Sequence, residues 1–175
     1  HDLIPLIQTE ETLDYMVERV SEAQDIIGAQ ILLENISSYM RFKQSELSEI
    51  EFINELTRRS GCFVLLDVNN IWANAMNFQE DPLQVLSQLR PDSVRGYHLA
   101  GCTLETKGAG DVYIDYHGEA VHEPVWELYR QSLEMFGAWP TLLEWENNVP
   151  PLSRTLEEVE KISQCLLPYI QGETQ

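Results

Sequence analysis

Four short apolar segments of this sequence each end in a side chain that could bind a metal. Glu34, Asp67 and Glu144 follow three of the segments directly, and His98 lies near the end of the fourth. Carboxylates and imidazoles without thiolates are the donors that suit Fe(II), Mn, Zn or Mg. Two carboxylates ~4 Å apart repel each other by ~4 kcal/mol at an intermediate dielectric, and a bound cation would relieve that repulsion. The pattern therefore favours a metal site over four unrelated loop residues.

A second group follows in the segment "YIDYHGEAV". Asp115 and His117 are two residues apart, so both would point to the same side of an extended segment. With Glu146 as a further carboxylate and Asn70 as a nearby amide, the donors exceed the four that one structural zinc requires. Two or more metals are then expected, with Asn70 bound to a metal or hydrogen-bonded to a ligand. The candidate metal ligands are Glu34, Asp67, His98, Asp115, His117 and Glu144.

Alternating helices and strands are expected to position these side chains. Hydrophobic periodicity and capping signals predict helices over 9–28, 48–61, 81–89, 123–137 and 153–167, and strands over 30–37, 62–67, 94–100 and 140–146. Ser48 and Glu51 have the spacing of a capping box, and Ser153 is the expected cap of the last helix. The order is α-β-α-β-α-β-α-β-α.

Such alternation predicts a parallel sheet with right-handed crossovers, in which the carboxyl ends of all strands lie at one edge. An open doubly wound sheet and a (β/α) barrel, whole or partial, both fit this order. No glycine-rich loop of the GxGxxG or GxxxxGK type follows any strand, which disfavours a nucleotide-binding open sheet. In a barrel, the strand ends would surround the mouth, where active sites are found. The 175 residues fit a single domain, 1–175.

Composition excludes several classes of partner. The formal net charge of -18 argues against a nucleic-acid backbone or an anionic membrane, because both require a basic surface. No apolar run approaches the ~20 residues of a membrane span, and no signal peptide is visible. The three cysteines Cys62, Cys102 and Cys165 are widely separated, which indicates reduced thiols in a cytoplasmic protein.

The same segments resemble a known family. "ILLENISSY", "LLDVNNIW", "YHLAG", "IDYHG" and "TLLEWENNVP" are similar, in order and spacing, to the signature segments of the multinuclear non-heme iron-dependent oxidative enzymes. That family was long catalogued as a domain of unknown function, and it includes the iron oxidase of methanobactin biosynthesis. The resemblance covers essentially all 175 residues.

This resemblance implies a TIM barrel that holds two or three irons at its mouth. Such enzymes use dioxygen to oxidise cysteine or other side chains of a precursor peptide, usually with a partner protein that binds the peptide leader. By resemblance, Glu34, Asp67, His98 and Glu144 are iron ligands, Asp115 and His117 serve a further iron, and Asn70 lies close by. Cys102 stands where the family often has histidine after "HLAG".

Family members are longer than this chain, which therefore resembles the C-terminal part of a barrel, with about four βα units. Two histidine ligands belong to the part that this chain lacks, so the piece by itself would be inactive for want of ligands. Its exposed strand edges and inner face predict that the piece alone either self-associates or is poorly stable. Two alternatives remain open: another divalent-metal-dependent barrel enzyme, such as an isomerase or hydrolase, and a non-catalytic structural or partner-binding subunit.

Overall fold

The sheet places the predicted strand ends side by side. The structure is a computed structural model that describes residues 4–106 and 110–172. The strands are β1 (Leu32–Glu34), β2 (Phe63–Asp67), β3 (Val94–Leu99), β4 (Thr103–Glu105), β5 (Val112–Ile114) and β6 (Thr141–Leu143). Four of them form a parallel sheet in the order β1-β2-β3-β6, and β4 and β5 form a separate antiparallel pair. The predicted α/β class with four parallel strands is thus confirmed.

Helices cover the sheet and begin where local capping chemistry allows. They are α1 (Glu10–Ile27), α2 (Glu49–Ser60), α3 (Val68–Phe78), α4 (Pro82–Leu86), α5 (Glu123–Phe136) and α6 (Leu152–Gly172). The capping box of Ser48 and Glu51 is present, and Gly61 ends the same helix in a left-handed conformation. The expected cap at Ser153 is wrong, because the last helix already includes Leu152 and follows a pair of prolines.

Two elements differ from the sequence-based expectation. The segment after β2 forms α3 without any intervening loop, and Asp67 serves as both the last residue of the strand and the N-cap of the helix. The predicted long loop after β3 contains the hairpin of β4 and β5. Both elements lie at the carboxyl end of the sheet, and both carry residues of the candidate site.

Two apolar clusters hold the helices against the sheet. The larger includes Leu66, Val94, Tyr97, Trp126 and Tyr129, all with at most 2% of their surface exposed. The smaller joins α1, α2 and the start of β2, and it includes the buried Cys62. Burial of this apolar surface is the main force that fixes the helices on the strands.

The sheet does not close on itself within the described residues. β1 and β6 each pair with only one neighbour in the four-stranded sheet, so each leaves one edge free. A (β/α) barrel that includes these strands therefore remains a proposal. None of the helices in the described ranges combines the length and hydropathy needed to cross a membrane.

Gly101, in the turn from β3 to β4, provides a test of how tightly the strand ends pack. A Cβ atom at this position would overlap the backbone carbonyl of Glu119, which has no room to move aside. Gly101→Ala is expected to lower the free energy of unfolding by about 2–3 kcal/mol, measured by urea denaturation. Gly96→Ala is the matched control, since its Cβ would meet the flexible Leu65 side chain at 3.0 Å. An equal loss of unfolding free energy in the two variants would contradict the close contact between Gly101 and the Glu119 backbone.

Candidate metal centre

Strand register brings four of the predicted ligands to one edge of the sheet. Asp67 on β2 is the register partner of His98 on β3, and Glu34 is the last residue of β1. Glu144 follows β6, and its backbone N–H donates to the Leu99 carbonyl at 2.8 Å, which continues the ladder by one residue. One donor atom from each of Glu34, Asp67, His98 and Glu144 lies within 4.8 Å of all the others. Four separate βα units therefore converge on one point.

His98 lies between two carboxylates. Its Nδ1 atom is 2.6 Å from Glu34 Oε1 and 3.3 Å from Glu144 Oε1. The hydrogen bond with Glu34 raises the pKa of His98, and the charge of Glu144 adds to this effect against the opposing effect of burial. The two carboxylates thus favour the protonated form of the imidazole. A metal would have to displace that proton in order to bind.

Asp67 is fully buried, and only one of its two carboxylate oxygens accepts a hydrogen bond from the described residues. Its Oδ1 atom accepts the backbone N–H of Asn70 at 2.7 Å, which caps α3. Its Oδ2 atom accepts no hydrogen bond from the described residues. Burial raises the pKa of Asp67 well above its ordinary value, and the charge of Asp115 raises it further. Without a nearby cation, burial favours the protonated form of this carboxyl group, and a bound cation would favour the carboxylate.

The second group of predicted ligands lies beside the first. His117 Nε2 is 2.7 Å from Asp115 Oδ1, and His117 Nδ1 is 3.5 Å from Glu144 Oε2. Neither ring nitrogen is aligned for a hydrogen bond to any described residue. The Asp115 carboxylate, opposed by burial, raises the pKa of His117 to about 9. Glu144 therefore directs one oxygen towards each of the two histidines and joins the two groups.

The backbone at His117 is not extended as the sequence suggested. Its φ of 51° lies in the left-handed region, which non-glycine residues seldom adopt. The His117 carbonyl accepts the backbone N–H groups of Glu146 at 2.8 Å and Asn147 at 3.0 Å, and these bonds hold the turn. Non-glycine residues in sparsely populated backbone regions are concentrated at functional sites.

A pocket of about 460 Å³ opens beside these ligands. Its walls include five of the six predicted ligands together with Asn70 and Glu146. The side chain of Glu146 is exposed. Asn70 Oδ1 is buried and accepts no hydrogen bond within the described ranges. We call this cavity the metal pocket.

The free donor atoms fit a divalent cation. Asp67 Oδ2 and Asn70 Oδ1 are buried and without hydrogen-bond partners in the part of the chain that the structure describes. The two ring nitrogens of His117 lie beside them, 2.7 Å from Asp115 Oδ1 and 3.5 Å from Glu144 Oε2. These atoms are carboxylate, amide and imidazole donors, the set that suits Fe(II), Mn or Zn. Like charges gathered in a buried place are costly unless protons or cations neutralise them. The site thus has a donor set that could hold a metal ion.

Cys102 does not belong to this group of donors. It is fully buried, and its Sγ atom is 3.6 Å from Nδ1 of His122. Burial raises the pKa of the Cys102 thiol to about 12, so the thiolate that binds metals is disfavoured. His122 is the N-cap of α5, without a side-chain capping hydrogen bond.

Two asparagines that position the ligands were not assigned roles from the sequence. The side chain of Asn35 donates to the Asp67 carbonyl and accepts the Asp67 N–H, both at 2.9 Å. Asn69 Nδ2 donates to Asp115 Oδ1 at 2.9 Å, which links α3 to the second group. The only signal in the sequence is that each asparagine is adjacent to a strand-end carboxylate or amide, in "EN" and "NN".

Asn35→Ala is expected to destabilise the protein by about 3 kcal/mol, because it leaves a buried N–H and a buried carbonyl of Asp67 unpaired. Urea denaturation of the metal-free protein measures this cost. Asn54→Ala is the control: it also removes a two-bond clamp on a backbone, at Gln88 and Arg90, but in a more exposed place. An equal loss of unfolding free energy in both variants would mean that burial of the two Asn35 hydrogen bonds does not add to their effect on stability.

Comparisons with known proteins identify the family of this chain. The chain is 43% identical to a UPF0276 protein of Anaeromyxobacter sp. over 164 residues, which are 94% of this chain and 56% of that protein. It is 43% identical to a UPF0276 protein of Chromobacterium violaceum over 166 residues, 95% of this chain and 59% of the relative. A UPF0276 protein of Vibrio parahaemolyticus is 40% identical over 166 residues, 95% of this chain and 58% of its own length.

The chain thus spans between 56% and 59% of the length of these three relatives. A sequence model of the RiPP precursor modification enzymes MbnB/TglH/ChrH matches residues 1–167. That match covers nearly the whole chain and agrees with the resemblance of the five motif segments. The chain belongs to the MbnB/TglH/ChrH family of RiPP precursor modification enzymes.

Proposed function

We propose that this chain is part of an iron-dependent enzyme that uses dioxygen to oxidise a side chain of a precursor peptide, with cysteine as the target. The observation that carries the proposal is the convergence of Glu34, Asp67, His98 and Glu144 within 4.8 Å in a member of a peptide-modifying family. Since the chain spans less than two thirds of its relatives, the activity is proposed for the complete protein.

The predicted ligands would bind two adjacent metal ions. Glu34, Asp67, His98 and Glu144 would hold one iron, and Asp115 and His117 would hold a further one. The carboxylate of Glu144 faces both histidines, at 3.3 and 3.5 Å, so it would connect the two positions. Asn70 would supply its free amide oxygen to an ion or to a ligand. Bound Fe(II) would supply the redox chemistry with dioxygen that carboxylates and imidazoles lack.

The protein itself would position the substrate and limit the access of water. Asp67 and Asn70 form the buried floor of the metal pocket, whereas Glu34 and Glu146 stand at its more exposed rim. A peptide side chain entering from the rim would reach the free donor atoms at the floor. The pocket of about 460 Å³ has room for one side chain together with metal-bound water.

We further propose that a partner protein binds the leader of the precursor peptide and that the protein acts in the cytoplasm. The acidic charge of -18 supports a peptide rather than a nucleic acid as the substrate. The free edges of β1 and β6 support self-association of this chain when it is alone.

The test is oxygen consumption by the complete protein, anaerobically prepared and loaded with Fe(II), in the presence of a cysteine-containing precursor peptide. Iron-dependent oxygen uptake and a change in peptide mass are expected, and both should be lost when the peptide cysteine is replaced by serine. Peptide turnover without oxygen uptake would instead indicate the hydrolase or isomerase alternative. Omission of iron separates metal-dependent turnover from background thiol oxidation.

A further inference from the structure

A second cavity lies outside the metal pocket. It measures about 190 Å³ and is lined by the segment before α1, the β1–α2 loop, the N-terminus of α2, one face of α3 and the region of α4. Ser37 lines the metal pocket, whereas Ser38 lines the second cavity, so the loop after β1 separates the two. We call this cavity the side pocket. The mechanism proposed above does not use it.

Glu49 is the unusual residue of the side pocket. Its Oε1 atom is shielded from solvent and accepts no hydrogen bond from the described residues. Its Oε2 atom accepts only a 3.4 Å hydrogen bond from Asn74 Nδ2. The Asn74 side chain also binds the backbone of the loop after β1, where it donates to the Ile36 carbonyl at 3.0 Å and accepts the Ser38 N–H at 2.7 Å. One oxygen of Glu49 is therefore left without a partner.

The nearest basic side chain is already engaged elsewhere. Arg41 donates two hydrogen bonds to Glu80, at 2.7 and 2.6 Å, and its guanidinium lies 3.9 Å from the centre of the Phe78 ring. Its charge therefore reaches Glu49 only at longer range. Burial raises the pKa of Glu49 to about 7 even though the Arg41 charge opposes the shift. A buried carboxyl group without a close cation is costly, and a bound cation would remove that cost.

The walls of the cavity restrict the chemistry of the ligand. Met40, Phe42, Leu47, Ile71 and Val85 provide apolar surface around the carboxyl group. The volume of about 190 Å³ holds roughly six water-sized groups, which suits a four-carbon chain with one polar head. Because only one oxygen of Glu49 is free, a compact ammonium fits better than a guanidinium, which pairs best with two carboxylate oxygens.

We propose that the side pocket binds a primary ammonium group on a short aliphatic chain, with Glu49 as its counter-ion. The same chemistry belongs to a lysine side chain of a bound peptide and to a free alkylamine. The net charge of -18 favours the approach of either cation. The proposal concerns a site separate from the metal pocket and does not depend on the identity of the metal.

Titration of the protein with n-butylamine at pH 8, followed by calorimetry, tests the site. Saturable binding is expected, and Glu49→Gln should weaken it by more than about tenfold, because the glutamine keeps the shape and loses the charge. Glu46→Gln is the matched control, since Glu46 is exposed on the same loop and only accepts the N–H of Glu10 at 3.2 Å. n-Butanol, which has the same chain without the charge, should not bind.

Amide NMR on the unmodified protein locates the probe independently of any variant. The backbone signal of Ser38 and the side-chain signal of Asn74 should shift on addition of n-butylamine. The proposal would be overturned if n-butylamine did not bind, or if it bound Glu49→Gln as tightly as the wild type. It would also be overturned if n-butanol bound equally well, or if only the signals of other residues shifted. A capped Gly-Lys-Gly peptide, compared with free n-butylamine, distinguishes the two sources: the tighter ligand of the pair identifies the natural one. Equal metal binding by the wild type and Glu49→Gln would keep this result separate from the proposed oxidase activity.

Discussion

Replacing Asp67 by Asn is expected to lower the affinity for Fe(II) or Mn(II) by at least about 100-fold, since loss of a hydrogen-bonding residue behind a ligand already costs 10–100-fold. Asp67 Oδ2 is the most deeply buried free carboxylate oxygen among the four converging ligands. The amide nitrogen of asparagine would replace that oxygen and could not donate electrons to a metal. Anaerobic titration with either ion, followed by calorimetry, measures the change.

The same substitution should leave the fold intact. Asparagine is also a good N-cap, so it can still accept the Asn70 N–H that begins α3. The pKa of Asp67 is raised in the folded protein. The Asp67 side chain therefore lowers the free energy of unfolding as the pH rises above the ordinary pKa of a carboxyl group. The metal-free Asp67→Asn variant should therefore be at least as stable as the metal-free wild type at pH 7.

Asp81→Asn is the matched control for this experiment. Asp81 also caps a helix through its carboxylate, by accepting the N–H groups of Leu83 and Gln84, but it lies outside the metal pocket. The Asp81→Asn variant should bind metal with the same affinity as the wild type. Unchanged affinity in Asp67→Asn, or an equal loss in Asp81→Asn, would contradict the role assigned to Asp67.

Metal removal is expected to produce the second large effect. At a metal concentration about 1,000 times the dissociation constant, binding to the folded state alone stabilises a protein by about 4 kcal/mol. For a chain of this size, that corresponds to a melting temperature about 8–16 °C higher with metal than with chelator. The physical cause is that a bound cation pairs with Glu34, Asp67, Asp115 and Glu144, which the two histidines and the raised pKa of Asp67 neutralise only in part without it.

Thermal unfolding with Mn(II) or with a chelator measures this difference without exposure to dioxygen chemistry. Asp67→Asn, with an affinity at least about 100-fold weaker, should keep at most about 1.4 kcal/mol of this stabilisation at the same metal concentration, a difference of no more than about 3–6 °C. If the wild type also melts at one temperature regardless of metal, the ligand atoms do not bind an ion in the folded state. Glu49→Gln should keep the full metal-dependent difference, because Glu49 lies in the side pocket.

The positions of the ligands could be predicted because they follow from topology. Strand-helix alternation implies parallel strands, and parallel strands place their carboxyl ends at one edge. Glu34, Asp67, His98 and Glu144 could therefore be grouped before any distance was known. The antiparallel hairpin and α3 could not be predicted in this way, because neither follows from the alternation.

The segment "VNNIWANAMNF" explains why α3 was missed. Its four asparagines have low helix propensity, which predicts a turn or loop. In the folded protein, however, these side chains are used in tertiary contacts: Asn74 holds the loop after β1, and Asn77 holds the backbone of Tyr113 on both sides. Contacts between distant segments thus outweigh the local preference. The left-handed turn at His117 was missed because it depends on hydrogen bonds from Glu146 and Asn147.

Element-resolved metal analysis of the anaerobically purified protein tests the central claim most directly. The account predicts at least one transition metal ion per chain, with iron dominant, and a loss of that metal in Asp67→Asn but not in Asp81→Asn. A wild-type protein that carries no transition metal, and takes up none when Fe(II) is supplied, would contradict it.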